Sequence, residues 1–136
     1  MSDTIFTRII KRELPAEILY EDELTLAFLD IRPVNPGHAL VITKAPFINL
    51  YELDDENRNA VFQTVQKIAT VLKRALNADG INVRINTEAA AGQDVFHFHA
   101  HVIPRFEGDG HEPWPGGTYA EGEKESVANK IRASLM

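Results

Sequence analysis

The run VFHFHAHVIPR, residues 95–105, constrains the fold more than any other stretch of the chain. Successive side chains of a β-strand point to opposite faces, so strand geometry puts His97, His99 and His101 on one side and Phe96, Phe98, Ala100 and Val102 on the other. The expectation is a strand across 95–105 that packs with one face and presents imidazoles with the other. Only His38 and His111 lie elsewhere, so histidine is not a general surface residue in this chain.

The remaining sequence supplies partners for such a strand. Ile5, Phe6, Ile9 and Ile10 recur at helical spacing until Pro15 ends the segment. EILYED (17–22) and TLAFLDI (25–31) read as a hairpin, RPVNPG (32–37) as a loop, and HALVITK (38–44) as a strand opening at His38. Val61, Phe62, Val65, Ile68, Leu72 and Leu76 form the apolar stripe of the main helix, with Asp54 or Asp55 to cap its start and Gly80 its end. INVRINT (81–87) is a further strand and EAAAGQD (88–94) a small-residue loop. Val127, Ile131 and Leu135, four apart, predict a terminal helix. Strands at hairpin spacing flanked by separate helices indicate an α+β fold with a mostly antiparallel sheet. A length of 136 residues with no internal repeat or linker implies one domain, 1–136.

Composition narrows the function. A formal charge of −6 and a pI near 5.3, with no clustered basic patch, exclude general binding to nucleic-acid backbones. Zero cysteines remove disulfides, thiolate ligands and a cysteine nucleophile. Arg8, Lys11 and Arg12 interrupt the N-terminal apolar residues, so no signal peptide is expected, and no run is long enough to span a bilayer. The expected location is the cytoplasm, with no membrane partner.

Three accounts of the histidines remain. Incidental placement fits a lone histidine better than three in alternation. A metal site could use imidazoles two apart on a strand, although three ligands on one continuous strand converge poorly on one ion. Nucleophilic catalysis uses the lone pair of a neutral imidazole to attack phosphorus, while neighbouring rings set its tautomer, share protons and keep positive charge near the phosphoryl group. The preceding loop suits that reading. Gly92 allows close backbone approach, and Asn86 and Gln93 can hydrogen-bond phosphate oxygens.

HFHAHVI at 97–103 fits the pattern His-x-His-x-His-x-x with apolar x. TIFTRII, AFLDI, NPGHALVITK, GQDVFHFHAHVIPR and a tryptophan loop follow in matching order, so nearly the whole chain resembles the histidine-triad (HIT) superfamily of nucleotide hydrolases and transferases. The resemblance implies a HIT-like α+β protomer with a five-stranded sheet, pairing with a second copy into a homodimer with a continuous sheet, and a purine nucleotide site facing the triad. By analogy His99 is the nucleophile on the α-phosphate, with His97, His101 and the fourth histidine, His38, in support. Asn86, Gly92, Gln93, Asp94 and Val95 match the phosphate side, and Asp30 the acceptor of the ribose hydroxyls. Ile5, Phe6, Ile9, Phe28, Leu29 and Ile31 match the wall around the base, although each apolar residue also suits a plain core. No cofactor is implied. The activity implied is phosphoramidase-type hydrolysis of a nucleoside phosphoramidate. The alternatives are dinucleoside polyphosphate hydrolysis and nucleotide-dependent regulation with little turnover.

Two departures stand out. Some similar bacterial members hold a structural zinc with two cysteines near the IF pair, a histidine after the ITK strand and the first triad histidine. Here Thr4, Thr7 and Pro46 occupy the first three positions, so no metal is expected. The residue after Gln93, usually serine or threonine in the family, is Asp94.

Overall fold

The protein is described by a computed structural model covering residues 3–135. Helix α1 (Ile5–Ile10) begins in a capping box. Thr4 Oγ1 accepts from the N–H groups of Phe6 and Thr7, and Thr7 Oγ1 accepts from the Thr4 N–H at 2.8 Å. Strands β1 (Ile18–Glu21) and β2 (Thr25–Leu29) make the expected hairpin. Asp22 ties their turn by accepting from the N–H groups of Leu24 and Thr25 and from the Thr25 hydroxyl. Then follow β3 (Ala39–Thr43), the long α2 (Asp55–Ala75), β4 (Gly80–Arg84), β5 (His99–Arg105) and α3 (Glu123–Leu135). The sheet order is β1-β2-β3-β5-β4, antiparallel throughout, as the five-stranded α+β reading requires.

Period-two alternation divides the core between the two faces of the sheet. Ala27, Ala39, Val41, Phe98, Ala100 and Val102 pack with Val61, Val65, Ile68 and Leu72 of α2. Burying each of those larger aliphatic side chains contributes about 1.5–3 kcal/mol relative to leaving it in water. A hydrogen bond of 2.7 Å between the buried Thr25 and Thr64 hydroxyls fixes the register of helix on sheet. On the opposite face, Leu26, Phe28, Leu40 and Ile42 pack with Phe6 and Ile9 of α1. Because Leu40 pairs with His101 and Ile42 with His99, those two imidazoles lie on the α1 face.

Several details differ from the sequence reading. β5 begins at His99, not at residue 95: the Phe98 N–H donates to the Phe47 carbonyl, outside the ladder, and Phe96 is 48% exposed instead of joining the packed face. Gly80 does not cap α2. Asn77 takes the left-handed turn, with φ 53°, and Gly80 opens β4. In the helix stripe, Phe62 and Leu76 are exposed, so four residues carry the α2 contact where six were expected. His38 also sits one residue before its strand.

Candidate active site

Three segments bring four imidazoles together. β5 delivers His99 and His101, the bend before it delivers His97, and the loop before β3 delivers His38. Gly37 makes the last placement possible. Its φ of +100° is a conformation that residues with a side chain adopt only with strain, so glycine suits the turn into His38.

Hydrogen bonds to the backbone assign the tautomers. The Val34 N–H donates to His38 Nδ1 at 3.0 Å, so a neutral His38 carries its proton on Nε2. That N–H donates to His101 Nδ1 at 3.0 Å, which leaves the His101 proton on its own Nε2. His99 Nδ1 lies 2.8 Å from the His97 carbonyl and must donate, so the lone pair of His99 is on Nε2. His97 donates from Nε2 to the Thr43 carbonyl at 2.6 Å, while its buried Nδ1 has no hydrogen-bond partner among the described residues. Phe6 packs edge-on against the His99 ring at 5.0 Å between centroids.

Burial pushes His38, His97 and His101 below the ordinary histidine range, His101 to about 4, although Asp30 pulls the other way on His38 and His101. These rings are neutral near pH 7. What they offer a phosphoryl group is the free His101 Nε2–H, not the positive charge expected from the sequence.

Asp30, His38 and His101 are the metal-compatible cluster among the described residues, with separations of 3.0 Å (His38–His101), 3.6 Å (Asp30–His38) and 4.0 Å (Asp30–His101). The spacing suits an ion; the hydrogen bonding does not. A metal-bound imidazole needs its other nitrogen protonated and donating, whereas His38 Nδ1 accepts from a backbone N–H and its Nε2 must hold the proton. The positions where some members hold structural zinc fit no better, since both threonine hydroxyls are committed to the capping box and the Pro46 side chain has no ligand atom to offer.

Other candidates divide between site and scaffold. Asp30 is half-buried, with Oδ1 accepting from the Arg32 N–H and Oδ2 facing His38 and His101. Gln93 is corrected. Its amide nitrogen donates to the carbonyls of Ile48 and Val95 and its oxygen accepts from the Glu88 N–H, so it braces the loop and has no hydrogen left for a phosphate. Asn86 makes only a 3.5 Å contact with the Gly92 carbonyl and keeps its amide for a ligand. Gly92, with φ +97°, serves the turn itself. Val95 packs beside the α1 cluster. Asp94 is 83% exposed, with Oδ1 3.8 Å from His99 Nε2. Phe6, Ile9 and Phe28 are buried, Leu29 is partly covered, and Ile5 and Ile31 reach solvent, Ile31 at 89% exposure.

Sequence reasoning missed the groups that orient the rings: the carbonyls of Thr43 and His97 and the Val34 N–H. They are main-chain atoms, and no residue identity announces them.

Comparison with known proteins shows the family. The family profile described as HIT domain matches residues 11–108. An uncharacterized HIT-like protein of Borreliella burgdorferi is 48% identical over 112 residues, covering 81% of each chain. The adenylylsulfatase HINT3 of Arabidopsis thaliana is 39% identical over 79% of this chain and 55% of its own. Among solved structures, a HIT family protein from Bacillus subtilis superposes with a TM-score of 0.89 at 37% identity, covering 99% of both chains. A histidine triad nucleotide-binding protein from Candida albicans gives 0.84 at 31% identity over 98% of this chain and 97% of its own. The chain belongs to the HIT family.

Proposed function

We propose that this protein is a purine nucleotide hydrolase that cleaves nucleoside phosphoramidates at the α-phosphate through a nucleotidyl intermediate on His99. The observation that carries the reading is the hydrogen bond from His99 Nδ1 to the His97 carbonyl, which confines the lone pair to Nε2. That lone pair attacks the α-phosphorus, a P–N bond forms to Nε2, and the bond to the departing nitrogen breaks. The leaving nitrogen keeps the electron pair and takes a proton from solvent. Water then attacks the same phosphorus, the bond to Nε2 breaks, the lone pair returns to His99 and the water's proton passes to solvent. One water is consumed per turnover.

The neighbours act by position. His38 fills His101 Nδ1, so His101 keeps a proton on Nε2 to donate to a phosphoryl oxygen. The Asn86 amide is a second donor. Asp30 supplies a carboxylate for the ribose hydroxyls, and the base lies against Ile5, Leu29 and Ile31, with Phe6, Ile9 and Phe28 forming the layer behind them. The adenylylsulfatase name of the Arabidopsis relative supports attack at an adenylate α-phosphate. The protein acts as a homodimer in the cytoplasm, where its nucleotide substrates are made and used.

The test is mass spectrometry of protein quenched during turnover of an adenosine phosphoramidate. A nucleotidyl adduct on His99 is expected, together with loss of turnover in His99→Ala and nucleotide affinity kept within about tenfold, because the nucleophile acts mainly in the transition state. Turnover above a few per cent in His99→Ala would remove His99 from the role.

A further inference from the structure

We propose that Asp94 selects the leaving group, favouring substrates that expel a cationic amine over those that expel a polyphosphate. The inference rests on nucleophilic attack by His99 and adds the substrate class. Its position is fixed by its neighbour: the buried Gln93 amide bridges Glu88, Ile48 and Val95, so the backbone presenting Asp94 is held in place. The carboxylate itself is 83% exposed and, among the described residues, receives no hydrogen bond. Its Oδ1 lies 3.8 Å from His99 Nε2, too far for a hydrogen bond but at the edge of the reacting centre.

In an in-line attack the phosphorus sits about 3 Å from the nucleophilic nitrogen, within the near-attack range, and the departing atom one bond further on. A carboxylate 3.8 Å from Nε2 lies within Coulombic reach of the phosphoryl group and of the atoms that leave it. Asp94 has no salt-bridge partner among Lys and Arg in the described residues, and burial holds His38, His97 and His101 neutral. No lysine or arginine among the described residues neutralises the charge, which faces the His99 ring and solvent. An ammonium on the leaving group is attracted; a polyphosphate, carrying several negative charges, is repelled. At this exposure one charge changes a rate by about twofold. The two leaving groups differ by several charges, which compounds to about tenfold.

The experiment compares Asp94→Asn, which keeps the shape and removes the charge, with the unsubstituted protein. One substrate is an adenosine phosphoramidate whose leaving group bears a free ammonium; the other is a diadenosine polyphosphate. Both are assayed at low and high salt, with the His99 adduct monitored for each. The ratio of kcat/KM, cationic over polyphosphate, should fall about tenfold in Asp94→Asn, and high salt should lower it in the unsubstituted protein but not in the variant. An unchanged ratio with the His99 adduct present overturns selection by Asp94 and leaves the proposed function standing. Equal loss of both activities also overturns it, because the carboxylate would then serve the chemistry itself. Turnover without the adduct removes the proposed function and this inference together.

Discussion

His101 shows how one ring can be held in a single protonation state. The His38 Nε2–H fills its Nδ1, and burial penalises the charged form, so its pKa drops to about 4. His38 and His99 press in the same direction, while Asp30 and Asp94 oppose them. An unfolded histidine binds a proton near pH 6.5. Between about pH 6.5 and 4 the unfolded chain therefore holds a proton that the folded chain refuses, and stability is lost as pH falls through that window. From pH 7.5 to pH 5 this group should cost about 2 kcal/mol, with His38 and His97 adding losses of the same sign. Urea unfolding at both pH values should show a smaller loss for His101→Gln than for the unsubstituted protein; identical losses would mean that His101 titrates normally in the folded state. The ring identities and their sharing of a face were legible at this scale because histidine alternation is a side-chain signal. The tautomers were not, since main-chain groups set them. Gln93 misled for a related reason: an amide that can reach a phosphate can equally satisfy three loop backbone groups.

Helix α1 has six residues, too short to be stable by itself. Two things hold it, the burial of Phe6 and Ile9 and the reciprocal Thr4–Thr7 capping box. Those threonines stand where some family members place zinc-binding cysteines, and hydrogen bonds here fix the same helix entry. The consequence reaches the site, because Phe6 packs on the His99 ring. Thr4→Ala should cost about 1 kcal/mol of stability, within the usual range for a lost N-cap. It should also raise KM for the nucleotide more than it lowers kcat, since α1 carries Ile5, Phe6 and Ile9 of the proposed binding wall. Denaturant unfolding and steady-state kinetics check the two halves; a kcat loss at unchanged KM would show that α1 does not bear on binding. Elements with a strong period were legible, as α2 and the hairpin show. Their ends were not. Asn77 stops α2 where Gly80 was expected, because asparagine also tolerates the left-handed region. His97 leaves the strand because its ring donates to Thr43 beyond the ladder's last pair, Ile42–His99.

On the scale of the molecule, the sheet has one face under α2 and the other under α1, but among the described residues the β4 edge and helix α3 stay exposed. β4 lies at the sheet edge with Asn82, Val83 and Arg84 exposed. Helix α3 carries Val127, Ile131 and Leu135 at intervals of four, and none of its described residues is buried; Leu135 is 80% exposed. No helix in the described residues is long and apolar enough to cross a membrane. A helix of 13 residues that buries none of them is marginal in water. Its apolar stripe gains stability only against another surface. In the homodimer proposed above a second copy would supply one, with the free β4 edges meeting to extend the sheet and α3 crossing to the partner. Each stripe residue that becomes covered would contribute up to about 1.5–3 kcal/mol. Light scattering should therefore give about twice the 15.2 kDa chain mass. The double variant Ile131→Glu, Leu135→Glu should raise the dimer dissociation constant at least tenfold while leaving the sheet's circular dichroism intact. A monomer at micromolar concentration in the unsubstituted protein would exclude this assembly, and a dimer indifferent to both glutamates would confine the interface to the β4 edge.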